Sequence, residues 1–109
     1  MTDTWFPICS LAEFPMYVQK SYIVQEESIL LYRTEECIYA VENFCSHQGF
    51  PLVGGCIKND KIYCPFHGAV FCLKTGAVLG APAMVGLKTF LTRIKEGCVE
   101  IFLRMPKGV

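Results

Sequence analysis

Two short stretches constrain this chain more than anything else in it. "FCSHQGF", residues 44–50, places Cys45 and His47 with one residue between them. "YCPFHGAVF", residues 63–71, places Cys64 and His67 with two between them. The chain has 109 residues and only two histidines, and each stands beside a cysteine. Turn formers crowd the same region: Gly49, Gly54, Gly55, Gly68, Gly76 and Gly80, with Pro51, Pro65 and Pro82. That density predicts loops and short strands there, not a helix. Two cysteines and two histidines fit zinc or an iron–sulfur centre. A structural zinc finger pairs its cysteines in one knuckle and its histidines elsewhere. Here each loop supplies one of each, which suits a binuclear cluster with two unlike irons, thiolates on one and imidazoles on the other.

The flanks of this region are strand-like. "MYVQKSYIV" (16–24), "SILLYRT" (28–34) and "CIYAVE" (37–42) are β-branched and aromatic runs separated by polar turns. "KTFLTRI" (88–94) and "CVEIFLR" (98–104) follow, joined by "KEG", with Gly97 at the left-handed position of a tight hairpin. Val99, Ile101 and Leu103 alternate as an inward face; Phe90, Thr92 and Ile94 form a second alternating set in which Leu91 competes. "CSLAEF" (9–14) predicts one helical turn capped by Ser10. "GAVLGAPAMVGL" (76–87) is apolar but shorter than a membrane span and broken by Gly80, Pro82 and Gly86, so it reads as a loop. The expectation is one domain over 1–109, all-β, with a loop-built site over about 43–84.

Composition narrows the function. The chain is 52% hydrophobic with no net charge, and no two Lys or Arg residues are adjacent. A globular fold follows, with no electrostatic footprint for nucleic acid. "MTDTWFPICS" has no basic segment that would mark a secretion signal. The seven cysteines are an odd number, which favours a reducing compartment and a metal site over a disulfide frame. A cytoplasmic protein with no membrane attachment is expected.

The spacing is Cys45-x-His47, sixteen residues, then Cys64-x-x-His67. With "HQGFPLVGG" before the spacer, "CPFHGAVFCLKTGAVLGAPA" after it and the closing "IKEGCVEI", the chain resembles small Rieske-type [2Fe–2S] ferredoxins over nearly its whole length. That resemblance implies a Rieske-type antiparallel β-sandwich carrying a cluster-binding subdomain. It implies one [2Fe–2S] cluster per chain, with Cys45 and Cys64 on one iron and His47 and His67 on the other. It implies an electron carrier and not an enzyme: a ferredoxin taking electrons from a flavin-dependent reductase and passing them to a terminal oxygenase or reductase. The small Rieske-like subunit of an assimilatory nitrite reductase is a second reading. A structural zinc module acting in protein interaction is a third.

The ligand set has an electronic consequence. Two ferric irons, two sulfides and two thiolates sum to zero charge when the imidazoles are neutral. Adding an electron is then easier than to a four-cysteine cluster. Rieske centres span about −150 to +300 mV, against about −400 mV for plant-type ferredoxins. By the same resemblance, the high-potential respiratory branch has a loop-to-loop disulfide where this chain has Phe50 and Phe66. It also has serine and tyrosine hydroxyl donors where this chain has Ala69 and Phe71. A low-potential centre is expected.

Gly49 and Gly68 are expected to permit close backbone approach and to leave amides pointing at sulfur. Pro65 stiffens the second loop. Phe50, Pro51, Phe66, Pro82 and Met84 should form an apolar collar for transient docking at the His47/His67 face. Cys9, Cys37 and Cys98 read as buried structural thiols. Cys56 and Cys72 depart from the family pattern, and each is a candidate for a regulatory disulfide.

Overall fold

The run Ile29-Leu30-Leu31 is buried at every residue, although a half-buried strand would alternate. The architecture explains it. The computed structural model describes residues 4–46, 49–66, 68–81 and 85–103. They form eleven strands: β1 (Thr4–Ser10), β2 (Gln19–Val24), β3 (Glu27–Arg33), β4 (Ile38–Glu42), β5 (Cys56–Lys58), β6 (Lys61–Tyr63), β7 (Val70–Cys72), β8 (Val78–Gly80), β9 (Thr89–Phe90), β10 (Thr92–Lys95) and β11 (Cys98–Leu103). These build three antiparallel sheets, in the orders β1-β11-β10, β2-β3-β4-β9 and β5-β6-β7-β8.

The sheet containing β3 is the middle layer. Ile29, Leu31, Ile38 and Ala40 project from it into a core shared with Phe14, Val99, Ile101 and Leu103. Leu30 and Val41 project the other way, into a core shared with Leu52, Ile62, Phe71, Leu73 and Leu87. Both faces of β3 are therefore covered, and each buried aliphatic side chain contributes about 1.5–3 kcal/mol. The second core also holds Cys45 and Cys64, so the candidate site is built onto the sandwich through the middle sheet.

Three two-residue hairpins set the registers. Gln25–Glu26, Asn59–Asp60 and Glu96–Gly97 all have positive φ at both central residues, the turn whose twist matches paired strands. They close the pairs Val24↔Glu27, Lys58↔Lys61 and Lys95↔Cys98. Leu11–Glu13 forms the expected single turn, a 3₁₀ turn, with the Ser10 hydroxyl accepting from the Ala12 N–H at 3.3 Å.

Several expectations are corrected. The strand expected at 16–24 begins only at Gln19, because Tyr17 takes φ +62° in a turn. The run 88–94 is two strands that part at the exposed Leu91. Phe90 pairs through β9 with Ala40 of the middle sheet, whereas Thr92 pairs with Ile101 of the outer one. Ile94 is accordingly exposed and Phe90 only partly buried. The expected loop 76–87 contains β8, paired to β7. β1 was not anticipated: Pro7 disguises it, and its register shifts between Pro7 and Cys9. Cys37 is exposed, and Cys9 and Cys98 are partly buried, so none of the three is a fully buried thiol.

Candidate metal centre

The two cysteines of the motif head two turns of the same construction. The Cys45 N–H donates to the Phe50 carbonyl at 2.7 Å, and the Gly49 N–H donates back to the Cys45 carbonyl at 2.7 Å. The Cys64 N–H donates to the Ala69 carbonyl at 2.7 Å, and the Gly68 N–H to the Cys64 carbonyl at 3.0 Å. Gly49 has φ +77° and Gly68 φ +76°, the left-handed conformation that closes such a turn. A Cβ at either position would meet nothing within 4 Å, and both amides are committed to the cysteine carbonyls. The glycines are thus required for φ. The expectation that their amides are free to point at sulfur is corrected.

Both thiols are buried, Cys45 at 1% exposure and Cys64 at 3%, within one apolar cluster that includes Ala69 and Phe71. The turns meet at the surface, where the Phe50 and Phe66 rings lie with centroids 4.7 Å apart and planes inclined by 33°. Phe50, Phe66, Pro51, Pro65 and Val85 are exposed around this point. The Ser46 hydroxyl donates to the Val85 carbonyl, tying the first turn to the segment 85–88. That segment is held in turn by Leu87 N–H to the Gly76 carbonyl at 2.7 Å and by Lys88 N–H to Glu42 Oε1 at 2.8 Å. His47, His67, Pro82 and Met84 lie outside the described residues. Among the described residues no three His, Cys, Asp or Glu side chains converge on a metal position.

Two anchoring residues escaped the sequence reading. Asn43 is buried at 5% exposure. Its Oδ1 accepts from the N–H groups of Leu52 at 3.1 Å and Val53 at 2.9 Å, and its Nδ2 donates to Ser28 Oγ at 3.2 Å. One side chain therefore closes the base of the loop that carries Cys45. Gln19 does the same from β2: Nε2 donates to the Gly55 carbonyl and Oε1 accepts from the Gly54 N–H, both at 2.7 Å. The only sequence signal was an asparagine at a strand end, which reads equally well as an ordinary turn residue.

A third turn repeats the construction. The Cys72 N–H donates to the Ala77 carbonyl at 2.9 Å, and the Gly76 N–H to the Cys72 carbonyl at 2.7 Å. "CSHQGF", "CPFHGA" and "CLKTGA" thus share one C-x-x-x-G frame, and the third offers Lys74 and Thr75 but no imidazole. Burial pushes the Cys72 thiol up. The Thr75 hydroxyl and the amides of Thr75 and Lys74 outweigh it and bring the thiol below its ordinary value. Cys56 sits on β5 and Cys72 on β7, with β6 between them. Two strand spacings amount to about 9.5 Å, too far for a disulfide between the two.

The donor chemistry fits a cluster. Two thiols buried in one apolar cluster are soft sulfur donors, and Cys45 and Cys64 would be the ones to hold iron. Matched turns bring both into one apolar cluster. The family model for the Rieske [2Fe–2S] domain matches residues 4–91. Ferredoxin CarAc of Metapseudomonas resinovorans is 31% identical over 102 residues, covering 93% of this chain and 95% of that protein. The ferredoxin component of a naphthalene 1,2-dioxygenase system from Pseudomonas aeruginosa is 32% identical over 103 residues, covering 94% and 99%. In the solved complex of reduced oxygenase and oxidised ferredoxin of carbazole 1,9a-dioxygenase, a chain 31% identical superposes with a TM-score of 0.81, covering 89% of this chain and 91% of that one. The paired cysteine turns, the three antiparallel sheets and these matches agree: the chain belongs to the Rieske [2Fe–2S] domain family.

Proposed function

We propose that this protein is a one-electron carrier, a Rieske ferredoxin that takes electrons from a flavin-dependent reductase and delivers them to a terminal oxygenase. The observation that carries the proposal is the pair of matched turns, with buried Cys45 and Cys64 directly beneath an exposed apolar rim. In this proposal Cys45 and Cys64 hold one iron, and His47 and His67 the other. The bound [2Fe–2S] cluster supplies a one-electron couple. The chain supplies the rest. The turns fix the two sulfurs, the core of Leu30, Val41, Leu52, Ile62 and Phe71 excludes water from behind, and Phe50, Pro51 and Phe66 give partners an apolar landing surface at the His47/His67 face. A small apolar rim suits brief docking, which a shuttle needs.

The relatives' names support the oxygenase partner, because both are ferredoxins and one is a component of a dioxygenase system. Residues 43–84 act as the cluster-binding unit within one domain over 1–109. Among the described residues no helix is long and apolar enough to cross a membrane. The odd cysteine count supports a reducing, cytoplasmic setting. The test is stopped-flow transfer. The protein, reduced by a flavin-dependent reductase, should be reoxidised by a ring-hydroxylating oxygenase in proportion to product formed. Reoxidation by a nitrite-reductase catalytic subunit, with none by oxygenases, would overturn the assignment of partner.

A further inference from the structure

We infer that the Phe50–Phe66 ring pair is a strap holding the two cysteine turns at a fixed separation and roofing the space between them, and so a positioning pair for the metal centre. This rests on the proposed ligand set. Each turn is closed by its own backbone hydrogen bonds, Cys45 with Phe50 and Gly49, and Cys64 with Ala69 and Gly68. Such bonds fix a turn's shape but not its distance from the other turn. The ring contact runs from one turn to the other, with centroids 4.7 Å apart and planes at 33°.

Its attachment is stiff. The Phe50 carbonyl is the acceptor of the Cys45 N–H, so the ring and the thiol of the first turn move together. Phe66 lies two residues after Cys64, inside the second closed turn. Both rings stand largely in solvent, at 39% exposure for Phe50 and 59% for Phe66, outside the set of buried residues that holds Cys45 and Cys64. An exposed aromatic pair in contact across two ligand-bearing turns has more to do for what the turns hold than for the sandwich.

Two effects follow. Opening the strap lets the turns separate, so iron is lost faster. It also admits water to the centre, which favours the reduced and more highly charged state, so the potential rises.

The test uses the loaded protein with Phe50→Ala, Phe66→Ala, both together, and Phe66→Tyr, which keeps a ring. Iron release to an excess of chelator should accelerate roughly two- to tenfold in either alanine variant, the range a ring pair is worth. The double variant should be no worse than the worse single one, because either change already removes the contact. Phe66→Tyr should release iron at the wild-type rate. The midpoint potential should rise in the alanine variants and not in Phe66→Tyr. Additive effects in the double variant, or alanine variants with wild-type release rate and potential, would overturn the strap. A wild-type protein that holds no iron and sulfide would instead overturn the reading of the site beneath it.

Discussion

Asn43→Ala gives a sharp test of how the first cysteine turn is held. The asparagine side chain makes three hydrogen bonds, to the N–H groups of Leu52 and Val53 and to Ser28 Oγ. Truncation leaves Leu52 with only a long 3.4 Å bond to the Asn43 carbonyl, and Val53 and Ser28 without this partner. A buried group stripped of its partner costs about 1–3 kcal/mol. Val53 and Ser28 are partly exposed and Leu52 is partly compensated, so the low end applies to each and the total is about 2–3 kcal/mol. The loss is local, because Asn43 spans the base of one loop. The assay is amide hydrogen exchange on the loaded protein. Exchange at Leu52 and Val53 should quicken by about 30- to 150-fold. The amides of Val99 and Ile101, in the other core, should change little. Equal acceleration at all four amides would show that Asn43 supports the whole fold and not the loop. No change at Leu52 and Val53 would refute the hydrogen-bond assignment.

Ala69 and Phe71 are fully buried in the cluster that holds Cys45 and Cys64. Ala69→Ser and Phe71→Tyr should each add a donor that favours the reduced state and raise the potential by some tens of millivolts, up to about 100 mV. Film voltammetry reads this, and an unchanged potential with an intact spectrum would mean that neither residue faces a sulfur. The rate of Cys72 alkylation should rise with pH through a midpoint below that of an ordinary thiol, because Thr75 and Lys74 favour the thiolate. Thr75→Ala should move that midpoint upward, as followed by mass spectrometry of labelled peptides; a midpoint unmoved by Thr75→Ala would refute the hydroxyl's role. Gly76→Ala drives a Cβ into the Leu87 carbonyl oxygen at φ +80°, so it should lower the melting temperature and speed loss of the centre by displacing the segment 86–88. A melting temperature within a degree or so of wild type would contradict that close approach.

Cysteine and histidine at short spacing carry chemistry in their identities, so the sequence alone nominates Cys45, His47, Cys64 and His67, and the structure brings the first and third of these into one apolar cluster. Val99, Ile101 and Leu103 were legible as an inward face because β11 obeys strict alternation. Leu30 was not legible as belonging to a second core, since an unbroken apolar run does not say which sheet covers which face. The change of sheet at Leu91 is a tertiary event with no local signal. Asn43 and Gln19 act on backbone groups 9 to 36 residues away, so nothing beside them in sequence marks their work. Cys37 misled because an apolar neighbourhood in sequence, "CIYAVE", is not burial in space.

The ligand assignment has one direct measurement. The chain contains only two histidines, so labelling histidine with nitrogen-15 reports on His47 and His67 and nothing else. Pulsed electron paramagnetic resonance on the dithionite-reduced protein should show two strongly coupled nitrogen-15 nuclei, and His67→Ala, if it still carries a paramagnetic centre, should show at most one. Two iron atoms and two acid-labile sulfides per chain should accompany that signal. A centre with no strongly coupled nitrogen-15, or a colourless protein holding one zinc and no sulfide, would contradict the account.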